Sequence, residues 1–164
     1  MINKDVIERC AQLLIDKKLT IAFAESATAG RICAEFALPE HAGLFLKGGL
    51  NCYDGTIKET LLKVDPKEIE HYTPESAEIT CAMAKGLESL IPADLHVSCT
   101  GLTCPGGSET EEKPVGTIFL HAEFRGTTLF SDRMVFKGSP EDVILQAVER
   151  TAILLLAYLD RQIS

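Results

Sequence analysis

Three runs of apolar and β-branched residues, 19–24, 46–53 and 95–100, each empty into a loop of glycine, hydroxyl or other small side chains. Helix-period segments lie between them, and that alternation restricts the chain to a layered α/β sheet. Val6, Cys10, Leu13 and Leu14 recur at i, i+4, i+7 and i+8, one face of a helix over 5–17. A helix over 28–37 stops before Pro39, and a short one over 56–63 follows the second strand. Thr73 reads as an N-cap with Pro74 at the first helical position. That helix carries Ile79, Met83, Leu87 and Leu90 on one face and ends before Pro92. After a long loop over 101–114, segments 115–124 and 127–136 form a hairpin around Arg125-Gly126. Ser139, with Asp142 three residues on, caps a last helix to Leu159, its buried face Ile144, Val148, Leu155 and Leu159. The hairpin makes the sheet mixed, the remainder parallel. In such sheets ligand sites gather at the carboxyl ends of strands, here the loops 25–30, 53–58 and 100–107.

The 164 residues correspond to one domain, 1–164, large enough for a full core. Apolar residues make up 46% of the chain, which excludes disorder as the main state. A net charge of −8 argues against nucleic acid and anionic membranes as partners, but not against a small anionic ligand held by backbone N–H groups. No apolar run approaches the roughly 18 residues that span a bilayer. The opening Met1-Ile2-Asn3-Lys4-Asp5 has no secretory pattern. A cytoplasmic protein with reduced thiols is therefore expected. The six cysteines form no Cys-x-x-Cys pair, and His41, His71, His96 and His121 are scattered, so spacing gives no metal site.

Three segments carry chemistry, and each also has a purely structural reading. In Ala24-Glu25-Ser26-Ala27-Thr28-Ala29-Gly30, a buried strand runs into hydroxyl residues at a helix start. Ser26 at such a turn is either a nucleophile near N–H donors or a helix cap. In the segment from Gly48-Gly49 through Tyr53 to Lys58, a tyrosine and a lysine lie across one turn. Lys58 is either a base for a serine, if burial lowers its pKa, or a surface residue, and Tyr53 is otherwise a core residue. Thr100-Gly101-Leu102-Thr103-Cys104-Pro105-Gly106-Gly107 is Gly-rich, which lets backbone N–H groups approach a ligand. It lacks the Gly-Lys-Ser/Thr ending of a phosphate-binding Walker loop, and a surface loop is the alternative. Cys104 reads as a small residue packed in that turn.

In this order, Ala24-Glu25-Ser26, Gly48-Gly49, Tyr53, Lys58, Thr100-Gly101, Pro105-Gly106-Gly107 and Glu112-Lys113-Pro114-Val115-Gly116-Thr117 resemble the motifs of the CinA (competence/damage-inducible) C-terminal domain family. The resemblance runs over about 19–159. It implies a three-layer α/β/α sandwich with a mixed, mostly parallel sheet. It also implies nicotinamide-nucleotide amidase activity, converting nicotinamide mononucleotide and water to nicotinate mononucleotide and ammonia without cofactor or metal, in a homo-oligomer. Ser26 matches the family's nucleophile, and Tyr53 and Lys58 its other catalytic residues. Lys58 would deprotonate Ser26 directly or through Tyr53. Substrate contacts are expected from Glu25, Ala27, Thr28, Gly30, Gly49, Thr100, Gly101, Pro105, Gly106, Gly107 and Lys113.

The chain departs from the pattern at Ala27 and Ala29, at Asp54-Gly55 and at Leu102-Thr103-Cys104. Before the last helix, Gly138-Ser139-Pro140-Glu141-Asp142-Val143-Ile144 lacks two arginines the family often has, and Gly43 stands where it has a second serine. The alternative to an active amidase is a catalytically silent paralogue that binds a nucleotide or self-associates.

Overall fold

The computed structural model describes residues 2–161. Strands β1 (Ile21–Glu25), β2 (Leu46–Asn51), β3 (Leu95–Gly101), β4 (Thr117–Phe124) and β5 (Thr127–Val135) form one sheet in the order β2-β1-β3-β4-β5. The β2-β1 and β1-β3 pairs are parallel, and β3-β4 and β4-β5 antiparallel. The mixed sheet expected from the sequence is therefore observed. Arg125 and Gly126 both take positive φ, 47° and 76°, the conformation a tight two-residue hairpin requires.

Side-chain alternation along β1 divides the core. Ile21 and Phe23 face helices α1 (Lys4–Asp16), α2 (Arg31–Phe36) and α6 (Pro140–Arg161), and Ala22 and Ala24 face the other layer. Phe23 packs on Phe36 with ring centroids 5.1 Å apart, and each such buried ring stabilises by about 1.5–3 kcal/mol. The second layer contains α3 (Gly55–Thr60), α4 (Pro66–Tyr72) and α5 (Ala77–Leu90). Small and polar residues let α5 lie close to the sheet. Ser98 Oγ donates to the Thr80 carbonyl at 2.6 Å and Thr100 Oγ1 to the Pro74 carbonyl at 3.2 Å. Gly86 lets the connection between α3 and α4 approach α5, since a Cβ there would meet the Leu62 carbonyl oxygen at 2.0 Å.

Several boundaries differ from the sequence reading. Thr73 is not the cap of α5; it ends α4 at φ 69°, and Ser76 caps α5 by accepting from the Ile79 N–H at 3.2 Å. Helix α4 is absent from the sequence reading although Asp65 and Pro66 carry an N-cap and first-turn signal. Helix α2 starts at Arg31 because Ala29 and Gly30 both take positive φ, 49° and 93°. In α1 the buried face is Ile7, Cys10, Ala11 and Leu14, so the stripe is rotated from the expected one. In α6 Val143 is buried rather than Ile144, and Leu90 of α5 is exposed. The Ser139–Asp142 cap forms as read, with reciprocal bonds of 2.8 and 3.2 Å. Among the described residues, no helix is long and apolar enough to cross a membrane.

Candidate active site

Because β1, β2 and β3 run parallel, their carboxyl ends share one rim. The antiparallel β4 starts at that rim, its Ile118 opposite Gly101. Four connections meet there, and the chemistry begins at the end of β1. Ser26 prolongs the strand, its N–H donating to the Cys99 carbonyl at 2.9 Å, and the chain then turns through Ala29 and Gly30 into α2. The buried Glu25 carboxylate fixes this turn. It accepts from Thr28 Oγ1 at 2.6 Å, the Ile32 N–H at 2.9 Å and the Cys33 N–H at 2.7 Å. Glu25 and Thr28 are thus committed to the start of α2.

Lys58 reaches this turn from α3. It is 2% exposed, not the surface lysine of the alternative reading. Its Nζ lies 3.0 Å from Ser26 Oγ and donates to the Cys52 carbonyl at 3.1 Å. Burial pulls its pKa below the ordinary 10.5, partly offset by the nearby Cys52, Glu75 and Asp54. Asp54 is the N-cap of α3, accepting from the Thr56 N–H at 2.8 Å and Thr56 Oγ1 at 2.6 Å. Those bonds lower its own pKa. Asp54, one of the departures from the family pattern, therefore anchors the helix that carries Lys58. The Cys52 thiol is pushed up to about 11, chiefly by burial.

Ser26 opens on a cavity of about 180 Å³, lined also by Ala27, Tyr53, Glu75 and the 101–107 loop. Tyr53 is 65% exposed, so it is not the core residue its alternative reading describes. Its hydroxyl makes no hydrogen bond among the described residues, and the contact between Lys58 and Ser26 is direct. The Ala27 N–H donates no hydrogen bond among the described residues and adjoins Ser26. Ser26 is not a cap either: Gly30 occupies the N-cap position of α2.

Of the expected substrate contacts, Ala27, Gly101, Pro105, Gly106 and Gly107 line the cavity; Glu25, Thr28, Gly30, Gly49, Thr100 and Lys113 do not. Gly49 serves packing, since a Cβ there would meet Cys33 at 3.1 Å. Thr100 is turned to Pro74. Lys113 ties the loop down, donating to Thr73 Oγ1 at 2.7 Å, the Glu75 carbonyl at 3.0 Å and Ser108 Oγ at 2.7 Å. Three acceptors use the three donors of its ammonium group. Cys104 lines the cavity and is exposed rather than packed in its turn.

Glu75, on the connection between α4 and α5, is a site residue that sequence reasoning misses. It is the one charged residue on the cavity wall among the described residues. Its Oε2 accepts from Ser108 Oγ, which is itself held by Lys113. No local motif marks it, because a Pro-Glu-Ser turn between helices is common surface chemistry.

Comparison with known proteins agrees with this fold. The sequence profile of the CinA C-terminal domain matches residues 3–159. A CinA-like protein of Thermosynechococcus vestitus is 35% identical over 128 residues, 78% of this chain and 30% of that protein. Another, of Sulfurihydrogenibium sp., is 30% identical over 158 residues, 96% of this chain and 39% of that protein. The chain thus spans well under half the length of these curated relatives. Among solved structures, the competence-damaged protein (CinA) superfamily protein of Klebsiella pneumoniae superimposes with a TM-score of 0.92 at 26% identity, covering 98% of this chain and 99% of that one. That of Enterobacter cloacae gives 0.90 at 26% identity, over 97% and 93%. With profile, relatives and fold in agreement over nearly its whole length, the chain belongs to the CinA C-terminal domain family.

Proposed function

We propose that the chain is an amide hydrolase resembling nicotinamide-nucleotide amidase, with Ser26 as nucleophile and Lys58 as its base. Membership of the CinA family supports that reaction class. The observation that carries the mechanism is the 3.0 Å approach of a buried lysine amine to a serine hydroxyl at the edge of a cavity. An amide carbonyl is a poor electrophile, so attack needs an activated hydroxyl and a donor for the developing charge.

In the proposed sequence, the neutral Lys58 amine takes the Ser26 proton as Oγ attacks the carbonyl carbon. The Ala27 N–H holds the resulting oxyanion. Collapse breaks the carbon–nitrogen bond, and the Lys58 ammonium returns its proton to the departing nitrogen, releasing ammonia. Lys58 then deprotonates a water that hydrolyses the acyl-serine ester. Tyr53 acts on the outer wall of the cavity, against the substrate rather than between Lys58 and Ser26. A substrate phosphate would rest on the N–H groups of Thr103 and Cys104, since no lysine or arginine among the described residues lines the cavity and the Gly106 N–H already donates to Glu109 Oε1 at 2.8 Å.

The carboxylate of Glu75 favours a second reading, in which the site hydrolyses amides other than a nucleotide. The test is ammonia release from nicotinamide mononucleotide and from a panel of phosphate-free amides, with the acid product identified by chromatography. Nicotinate mononucleotide formation supports the first reading. Turnover confined to phosphate-free amides supports the second. Nucleotide binding without any turnover supports the silent paralogue.

A further inference from the structure

On the face of the sheet covered by α5, His121 and Glu123 project side by side from β4, two residues apart and each 2% exposed. Cys81, half-buried on α5, lies over them. One ligand atom from each of Cys81, His121 and Glu123 falls within 4.8 Å of the other two. We propose that these three residues form a binding site for a zinc-type divalent transition-metal ion, separate from the Ser26 cavity, which none of them lines.

The donor set fits such an ion. Thiolate, imidazole and carboxylate are the ligands zinc takes, and three of them leave a fourth position for water. With metal–ligand bonds of about 2.0–2.3 Å, tetrahedral donors stand roughly 3.5 Å apart. The present spacing reaches that by side-chain movement alone. His121 Nε2 and Glu123 Oε1, 2.7 Å apart, spread by under about 1 Å, and Cys81 Sγ closes in by a similar amount. Charge balances as well: a thiolate, a carboxylate and a neutral imidazole around a divalent cation sum to zero, which lowers the cost of burial.

The surroundings are those of a supported ligand set. His121 Nδ1 lies 2.5 Å from Ser131 Oγ, the contact to the non-ligating nitrogen that orients a metal-bound imidazole. Thr128 Oγ1 donates to Glu123 Oε1 at 3.2 Å. Glu123 Oε2 has no protein partner among the described residues. A surface groove lined by Glu68, Ala77, Glu78, Ala82 and Lys85 leads from solvent to the Cys81 thiol, with two carboxylates against one ammonium. Without an ion, the contact between His121 Nε2 and Glu123 Oε1 holds the pair together. Linear spacing hides the site because Cys81 is forty residues from His121 on another element and is brought over it only when α5 packs on the sheet.

Cobalt(II) titration of the chelator-treated full chain tests this. Saturable one-to-one binding is expected, with a thiolate-to-cobalt charge-transfer band, tetrahedral visible bands, and displacement of both by zinc. Cys81→Ser, at a half-buried position, should fold normally and lose the charge-transfer band with at least tenfold weaker binding. His121→Gln should weaken binding similarly, and if that buried change prevents folding, Cys81→Ser alone decides. Cys104→Ala should leave the titration unchanged. The proposal is overturned if wild type shows no saturable binding, if Cys81→Ser binds as wild type does, or if the band disappears with Cys104.

Discussion

Lys58 Nζ sits 3.0 Å from Ser26 Oγ, although thirty-two residues separate the two in the chain, Ser26 lying on the turn after β1 and Lys58 on α3 after β2. The parallel pairing of β1 with β2 brings the two connections to one rim. The Asp54 cap then sets the helix from which the lysine reaches inward.

Replacing Lys58 by methionine should separate activity from stability. Lys58 has no carboxylate within ion-pair distance among the described residues, so it destabilises the fold when charged, and methionine fills similar volume without charge. Lys58→Met should reduce turnover by about 10²–10⁴-fold, the usual range for loss of a general base. Its melting temperature should be unchanged or higher. Calorimetry alongside the ammonia assay checks both.

The pH dependence follows from the direction of the Lys58 shift. Its pKa is lowered in the folded chain, so the neutral, basic form becomes available below 10.5. Turnover should rise with pH through an apparent pKa under that value, and the rise should be absent in Lys58→Met. Stability runs with the same sign. The cost of charging the buried amine appears as pH falls from 10.5 through the lowered pKa, and vanishes above 10.5, where the lysine is neutral in both states. The advantage of Lys58→Met in melting temperature should therefore shrink towards high pH.

Glu75 is expected to set charge preference. A carboxylate on the cavity wall repels an anionic substrate, and at these separations in a wet cavity the effect is on the order of 1 kcal/mol. Glu75→Gln still accepts from Ser108 and should lower KM for a phosphate-bearing amide about two- to tenfold. KM for an uncharged amide should hardly move. Steady-state kinetics on the two substrates reads the difference.

Lys113 should act at a distance from the reaction. Lys113→Ala removes the three bonds that tie Ser108 and the 73–75 turn together. The 101–107 loop should then loosen, with faster proteolysis there and up to about 10²-fold lower kcat/KM, the scale of a small misplacement. Lys113→Met should lose as much, since the ammonium donors rather than the stem hold the loop.

What the sequence disclosed follows physical range. Strand-to-loop transitions and glycine runs are local signals and marked Ser26, Tyr53, Lys58 and the Gly101–Gly107 loop as candidates, but each kept a structural alternative, and only the ordered family motifs suggested catalytic roles. The layered sheet was legible because side-chain period is local too. Whether Lys58 is buried or Tyr53 exposed depends on which elements pack over them, and spacing carries no such information. The same holds for Glu75, which points into the cavity from an unmarked turn. Lys113 was expected against the substrate, but folding brings three acceptors to it from distant segments. Thr73 misled because α4, a short helix, ends where the cap signal for α5 was read.

Ammonia release from nicotinamide mononucleotide, followed in parallel for the wild-type chain and Ser26→Ala, tests the central claim most directly. Removing the hydroxyl should lower turnover by about 10³-fold or more, since the attacking atom is gone. The melting temperature should stay close to wild type, because Ser26 Oγ caps no helix. Equal rates of ammonia release from two equally stable proteins would contradict the assignment of Ser26 as nucleophile.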